Sequence, residues 1–275
     1  MIVNRKEINN LSLAIRRIID GQSIDLRDNL EGKLSILKND IHTLAGRLNE
    51  ESDNLKKEKA AMANTLADIS HQLKTPLTAM MVMVELLETA PPEKRTEFIA
   101  NLKQGLTQTE WLANALLKMA KLESGSVEFN PVEVQASELL EIALAPLRIL
   151  LDIQDQRVRL TGGATLYCDK NWTAEAITNI VKNASEHSPP GSMIEIAAGI
   201  NPISSWLAVT DNGDGIPDHQ VKGLFKRFGN SRKGIGIGLA LALAIMRGQN
   251  GDIEVDGGGN GLGARFTLKF YRHRN

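Results

Sequence analysis

The segment Asp68-Ile69-Ser70-His71-Gln72-Leu73-Lys74-Thr75-Pro76-Leu77 sits in the middle of a long helical stripe. Around it, apolar residues fall at Leu37, Ile41, Leu44, Leu48, Leu55, Met62, Leu66, Ile69, Leu73, Met80, Met83 and Leu87. The steps are threes, fours and their sum of seven, the spacing of a coiled-coil seam or a helix bundle. Near Leu55 to Lys59 the alternation takes an extra step of four, a stutter that changes supercoiling locally. Pro91-Pro92 then makes a turn, and Phe98, Leu102, Leu106, Leu112, Leu116 and Met119 predict a second amphipathic helix running back. One helical hairpin buries its stripe poorly by itself, so two copies pairing into a four-helix bundle, a homodimer, is the expected solution.

Working outward, the two halves differ in composition. The first 128 residues contain only two aromatics, Phe98 and Trp111, and five of the 23 glycines precede residue 131. The segment Ser124-Gly125-Ser126 with Pro131 ends the helical pattern. Beyond it the chain alternates: helix 136–151, strands near 157–168, helix 172–187, strands near 193–199 and 205–211, helix 236–248, strands near 252–256 and 264–270. That order predicts a sheet with helices on one face, an α/β sandwich. Upstream, residues 1–36 read as two short helical pieces around the polar segment Gly21 to Asp25, a connector rather than a domain with its own core.

Composition narrows the function classes. The 275 residues carry a net charge of −1, so no bulk attraction to nucleic acid or anionic membrane is expected. One cysteine, Cys168, excludes an internal disulfide framework and a multi-cysteine metal site. It closes an apolar run and reads as an inert core thiol. The apolar run Gly236 to Met246 has 11 residues, too short to cross a bilayer, and no secretory leader is visible. The expected location of the chain as given is the cytoplasm.

Four constellations carry chemistry. If Ile69 and Leu73 face the seam, His71 lies about 200° from each and points to solvent. A lone outward histidine is ordinarily a surface residue, but Pro76, one turn later, leaves the Gln72 carbonyl without its helical donor and bends the helix beside it. Asn179 and Asn183, four apart, put two amides on one helical face, and such oxygens suit Mg²⁺ together with substrate phosphates. Asp211-Asn212-Gly213-Asp214-Gly215 follows a strand directly. A carboxylate there can accept from an exocyclic amine such as that of adenine, and the glycines let backbone approach a ligand. Finally, Gly234, Gly236 and Gly238 open an apolar helix whose N-terminus favours phosphate.

Together and in this order, the four pieces resemble the catalytic core of bacterial two-component sensor histidine kinases, over roughly residues 60–272. The His71 segment is similar to the phosphoacceptor box, Asn179–Asn183 to the N box, Asp211–Gly215 to the G1 box, Phe225 and Phe228 to the F box, and Gly234–Gly238 to the G2 box. The resemblance implies signal-transmitting linker helices over 1–58, a dimerising phosphotransfer hairpin over 59–128 and an ATP-binding domain over 129–275. It implies that His71 attacks the γ-phosphorus of Mg-ATP and hands the phosphoryl group to an aspartate of a response-regulator receiver domain. Gln72 and Thr75 would act beside His71, Thr75 in dephosphorylating the partner. Asn179, Lys182, Asn183, His187, Asp211, Gly213, Gly215, Gly234, Gly236 and Gly238 would bind nucleotide, with Asn183 on the Mg²⁺. No nucleic-acid partner is implied, and any sensor or membrane anchor would lie upstream of this sequence.

Three departures stand out. Gln72 replaces the usual acid after the histidine, and an amide cannot take up the imidazole proton. Asp68 is another acid that could contribute. Glu186 and His187 stand where a base and an aromatic are usual, so Glu186 is expected to face away from phosphate. Only Gly229 to Lys233 separate Phe228 from Gly234, leaving a short lid or one shortened in this sequence. These departures keep open a nucleotide-binding dimeric scaffold, or a kinase homologue dominated by phosphatase activity. Another ATPase sharing the nucleotide fold would need a transducing domain after the ATP site, whereas twelve residues follow Gly263.

Overall fold

The computed structural model describes residues 5–19, 33–228, 236–258 and 263–271. The chain divides into two compact units, Met1–Ile69 and Ser70–Asn275. The segment Gly21 to Asp25, the stretch Gly229 to Lys233 with Gly234, and the basic tail Arg272 to Arg274 lie outside the described residues.

The first unit contains helix α1 (Arg5–Ile19) and the opening of helix α2 (Lys33–Thr89). Here α2 leaves Leu37, Leu44, Leu48, Leu55, Met62 and Leu66 exposed. A repeating apolar stripe that one chain leaves open to water is the pattern of a helix awaiting a partner.

In the second unit the remainder of α2 and helix α3 (Pro92–Glu123) form the hairpin. Pro92 stands in the first turn of α3, where its missing N–H costs nothing. The turn is closed by Lys94 N–H on the Pro91 carbonyl and by Arg95 Nε on that of Ala90, at 3.0 and 3.1 Å. Met80 is buried and lies on Gly105, where an added Cβ would come within 2.8 Å of Met80 Cγ. Leu77, Met81 and Val84, beside Met80 along α2, stay exposed.

The α/β part begins with strand β1 (Pro131–Gln135), helix α4 (Ala136–Leu144) and helix α5 (Arg148–Ile153). Residues 136–151, expected as one helix, are divided by a 3-10 turn at Ala145–Leu147, because Pro146 cannot donate into a continuous helix. There follow β2 (Arg157–Gly162), β3 (Thr165–Asp169), α6 (Lys170–His187), β4 (Met193–Ile200), β5 (Ser204–Thr210) and the short α7 (Asp218–Val221). Helix α8 (Gly238–Gly248), β6 (Gly251–Asp256) and β7 (Arg265–Tyr271) complete it.

The main sheet has the order β2-β4-β5-β7-β6, parallel only between β2 and β4. Strand β1, which the sequence pattern did not reveal, pairs antiparallel with β3 in a separate two-stranded ribbon. On one face of the main sheet, Ile194, Ile196, Leu207, Val209, Phe266 and Leu268 are fully buried together with Ile177, Ile180 and Val181 of α6 and Leu241 and Ile245 of α8. Leu112, Ala115 and Met119 of α3 belong to that same buried cluster. Each large aliphatic or aromatic side chain buried there contributes roughly 1.5–3 kcal/mol relative to exposure, so α6 and α8 are held against the sheet by their apolar faces. Their other surfaces are left to carry the polar motifs.

Candidate functional site

The first fixed point is Asp211, one residue beyond β5 and only 4% exposed. A carboxylate this deep is costly unless it is hydrogen-bonded. Its Oδ1 accepts from the Gly213 and Ala264 N–H groups at 2.9 and 3.0 Å. The Asp211 N–H in turn donates to the Ala264 carbonyl at 3.0 Å, so the residue is clamped between its own turn and the start of β7. Gly263, at φ +72°, makes the clamp possible: any Cβ there would strike the Asp211 backbone carbonyl. With Oδ1 committed, Oδ2 has no hydrogen-bond partner among the described residues.

Helix α6 supplies the second part. It begins because Asp169 caps it, accepting from the Asn171 and Trp172 N–H groups at 3.1 and 3.0 Å. It stops at His187 because Pro189 and Pro190 follow and Ser188 is already extended. Asn179 is buried; its Nδ2 donates to the Glu175 carbonyl at 2.9 Å. Its Oδ1 faces Gly238, the first residue of α8, where an added Cβ would lie 2.9 Å from that oxygen. The N-box and G2-box residues therefore touch. One turn on, Asn183 is half-buried, and its amide has no partner among the described residues.

At the far end of α6, the His187 carbonyl lies against Gly213, with no room for a Cβ between them, whereas the His187 side chain is exposed. Lys182 is engaged elsewhere. Its Nζ stands 4.8 Å from the centroid of the Trp111 ring on α3 and 3.9 Å from Glu186 Oε1. Trp111 is half-buried at this contact. Glu186 occupies Lys182, which neutralises part of the negative charge that the sequence put next to the site.

The third part is the approach to α8. Phe225 and Phe228 pack onto the buried core. The Phe228 N–H donates to the Gly236 carbonyl at 3.0 Å, and both residues have positive φ, +54° and +74°. This bond draws together the two ends of the stretch 229–235. Because Gly236 is left-handed, the helix expected from residue 236 begins two residues later, at Gly238. Gly215, at φ +78°, turns the chain so that Ile216 N–H donates to the Gly257 carbonyl at 2.7 Å. Gly213 thus lies against Asp211 and the end of α6, and Gly238 against Asn179, while Gly234 is outside the described residues.

His71 is exposed on α2, as its angle from Leu73 predicts, and Leu73 packs inward. Thr75 is exposed one turn further, its hydroxyl donating to the His71 carbonyl at 3.2 Å. Gln72 is half-buried between them and Pro76 lies within the helix. No hydrogen bond or ion pair among the described residues joins the His71 side chain to the Asp211 region.

Cys168 is buried in β3, and burial pushes its thiol up to about 11. At neutral pH it is a protonated core residue rather than a reactive thiolate. Among the described residues no three His, Cys, Asp or Glu side chains converge into a metal cage. No helix among them is long and apolar enough to cross a membrane.

Comparison with known proteins gives two domain matches. Residues 61–125 match the His Kinase A (phospho-acceptor) domain, and residues 168–274 match the histidine kinase-, DNA gyrase B-, and HSP90-like ATPase family. Over 98% of this chain it is 28% identical to the sensor protein CzcS of Cupriavidus metallidurans, of which it covers 58%. It is 30% identical to the sensor protein CreC of Escherichia coli over 74% of this chain and 44% of that protein. The chain therefore spans about half the length of these relatives. Among solved structures, the Acinetobacter baumannii histidine kinase AdeS superposes with a TM-score of 0.63 at 22% identity, over 74% of this chain and 98% of that one. The histidine kinase ThkA in complex with its response regulator TrrA superposes at 0.65 and 17% identity, over 82% of this chain and 66% of that one. These two likenesses are likenesses of fold.

Proposed function

Because the chain belongs to the two-component sensor histidine kinases, we propose that it phosphorylates its own His71 from Mg-ATP and passes the phosphoryl group to an aspartate of a response-regulator receiver domain. On this reading residues 1–58 transmit the signal in the cytoplasm, 59–128 dimerise and carry His71, and 129–275 hold the nucleotide. Pairing two hairpins through the exposed Leu77, Met81 and Val84 would complete a four-helix bundle.

The observation that carries the reading is the clamped Asp211. Two backbone amides hold Oδ1, so Oδ2 can accept from an exocyclic amine without the carboxylate moving. Bound Mg-ATP supplies the transferable phosphoryl group and the cation that neutralises its charge. Asn183 offers one hard oxygen, so the cation would be held mainly by phosphate oxygens and water. Asn179 stands against Gly238, and the first-turn amides of α8, unsatisfied within the helix, would be available to the phosphates. The residues thus fit both groups. The imidazole lone pair of His71 forms the N–P bond as the bridging P–O bond breaks and ADP leaves. Gln72, an amide, can hydrogen-bond to the ring but cannot take its proton, which would pass to water.

Gln72 also favours a second reading, in which labelling of His71 is slow and the exposed Thr75 hydroxyl, orienting water, makes removal of phosphate from the partner the main output. Both readings require ATP to bind at Asp211. The Asp211→Asn variant should lose affinity for a non-hydrolysable ATP analogue by about tenfold or more, the weight of one charge-assisted hydrogen bond, measured by titration calorimetry. Equal binding by variant and wild type would refute the site.

A further inference from the structure

The C-terminal end of α6 is held by a residue that no motif singles out. Gln156 precedes β2 and is 5% exposed. Its Nε2 lies within hydrogen-bond reach of the carbonyls of Ser185, Ser188 and Pro189, at 3.1, 3.3 and 3.2 Å, and its Oε1 accepts from the Ser185 hydroxyl at 2.6 Å. With only two hydrogens on Nε2, at least one is shared between carbonyls. The carbonyl of Ser185 is one of those a helix leaves without a donor in its last turn, so the Gln156 amide caps the C-terminal end of α6.

The fastening extends along the turn. Gly191 N–H donates to the Gln154 carbonyl at 2.8 Å, and Arg157 N–H to that of Ser192 at 3.2 Å. From the Ser188 so held, Oγ accepts the Asn212 N–H at 3.2 Å, and Asn212 follows Asp211 directly. One buried amide therefore joins the helix that carries Asn179 and Asn183 to the loop that carries Asp211.

We propose that Gln156 is a positioning residue for nucleotide: through Ser188 it sets where the Asp211 loop stands relative to the Asn183 turn, and so sets the affinity for the adenine and phosphate ends of ATP together. The inference rests on the nucleotide-site reading above. A residue serving only stability would change the unfolding temperature and leave the affinity of the folded protein alone.

The test uses the full chain with Gln156→Met, close in shape but lacking every hydrogen bond, and Ser188→Ala, which removes only the acceptor for Asn212. Ser188→Thr restores that hydroxyl. Calorimetric titration with the ATP analogue and Mg²⁺ should show about tenfold weaker binding for Gln156→Met, weaker binding for Ser188→Ala, and recovery in Ser188→Thr. Their effects should combine to less than the product of the two, because they break one series of linked contacts. In His71 labelling, KM for ATP should rise while kcat at saturation stays within about twofold. Unchanged affinity in folded variants overturns the inference, as do independent, multiplicative effects. If Gln156→Met does not fold, Ser188→Ala with its threonine rescue decides. A wild-type protein that fails to bind the analogue would instead sink the nucleotide-site reading itself, so the two failures are distinct.

Discussion

At the residue scale, the polar motifs are pinned by their neighbours. Gly213 and Ala264 fix one oxygen of Asp211, and Asn179, bonded to the Glu175 carbonyl, stands against Gly238. The four constellations were legible in the sequence because each uses residue types whose chemistry survives out of context: a histidine beside a helix proline, paired amides, a carboxylate after a strand, glycines before a helix. What was not legible were the supports. Gln156 lies 55 residues from Asp211, and nothing in its own segment marks it. The seat of Lys182 over Trp111 likewise brings together residues 71 positions apart. Gln72 makes a kinetic prediction at this scale. Restoring a carboxylate with Gln72→Glu should speed the initial labelling of His71 by about tenfold or more, since a positioned base commonly contributes at least that much. An unchanged initial rate would show that proton removal does not limit the step.

At the element scale, periodicity identified nearly every helix and strand, and it erred where a single residue overrides the pattern. Pro146 breaks the expected helix 136–151, Gly236 delays α8, and Pro131 disguises β1, whose partner β3 lies in another part of the sequence. The helical stripe of α3 carries two duties that spacing alone does not separate. Leu112 is fully buried in the core shared with the α/β elements, whereas Leu106, two turns earlier, is 61% exposed. Leu112→Ala should therefore destabilise the unit by about 2–5 kcal/mol in denaturant unfolding. Leu106→Ala should leave that transition nearly unchanged and instead weaken self-association measured by sedimentation. Equal effects of the two changes on unfolding would mean that α3 does not belong to the core in this way.

At the scale of the whole molecule, the candidate residues are distributed between an exposed histidine on a helical hairpin and separated segments of the α/β elements. On the proposed reading, the histidine meets a nucleotide that other elements would hold. In that reading, His71 receives the γ-phosphoryl group from ATP held at Asp211 and Asn183. The most direct measurement incubates the purified protein with γ-labelled ATP and Mg²⁺, beside His71→Ala and Asn183→Ala. The account predicts protein-bound label that is labile to acid, stable to alkali and absent from both variants. Label that persists in His71→Ala, or a wild-type protein that binds ATP and stays unlabelled, would contradict it.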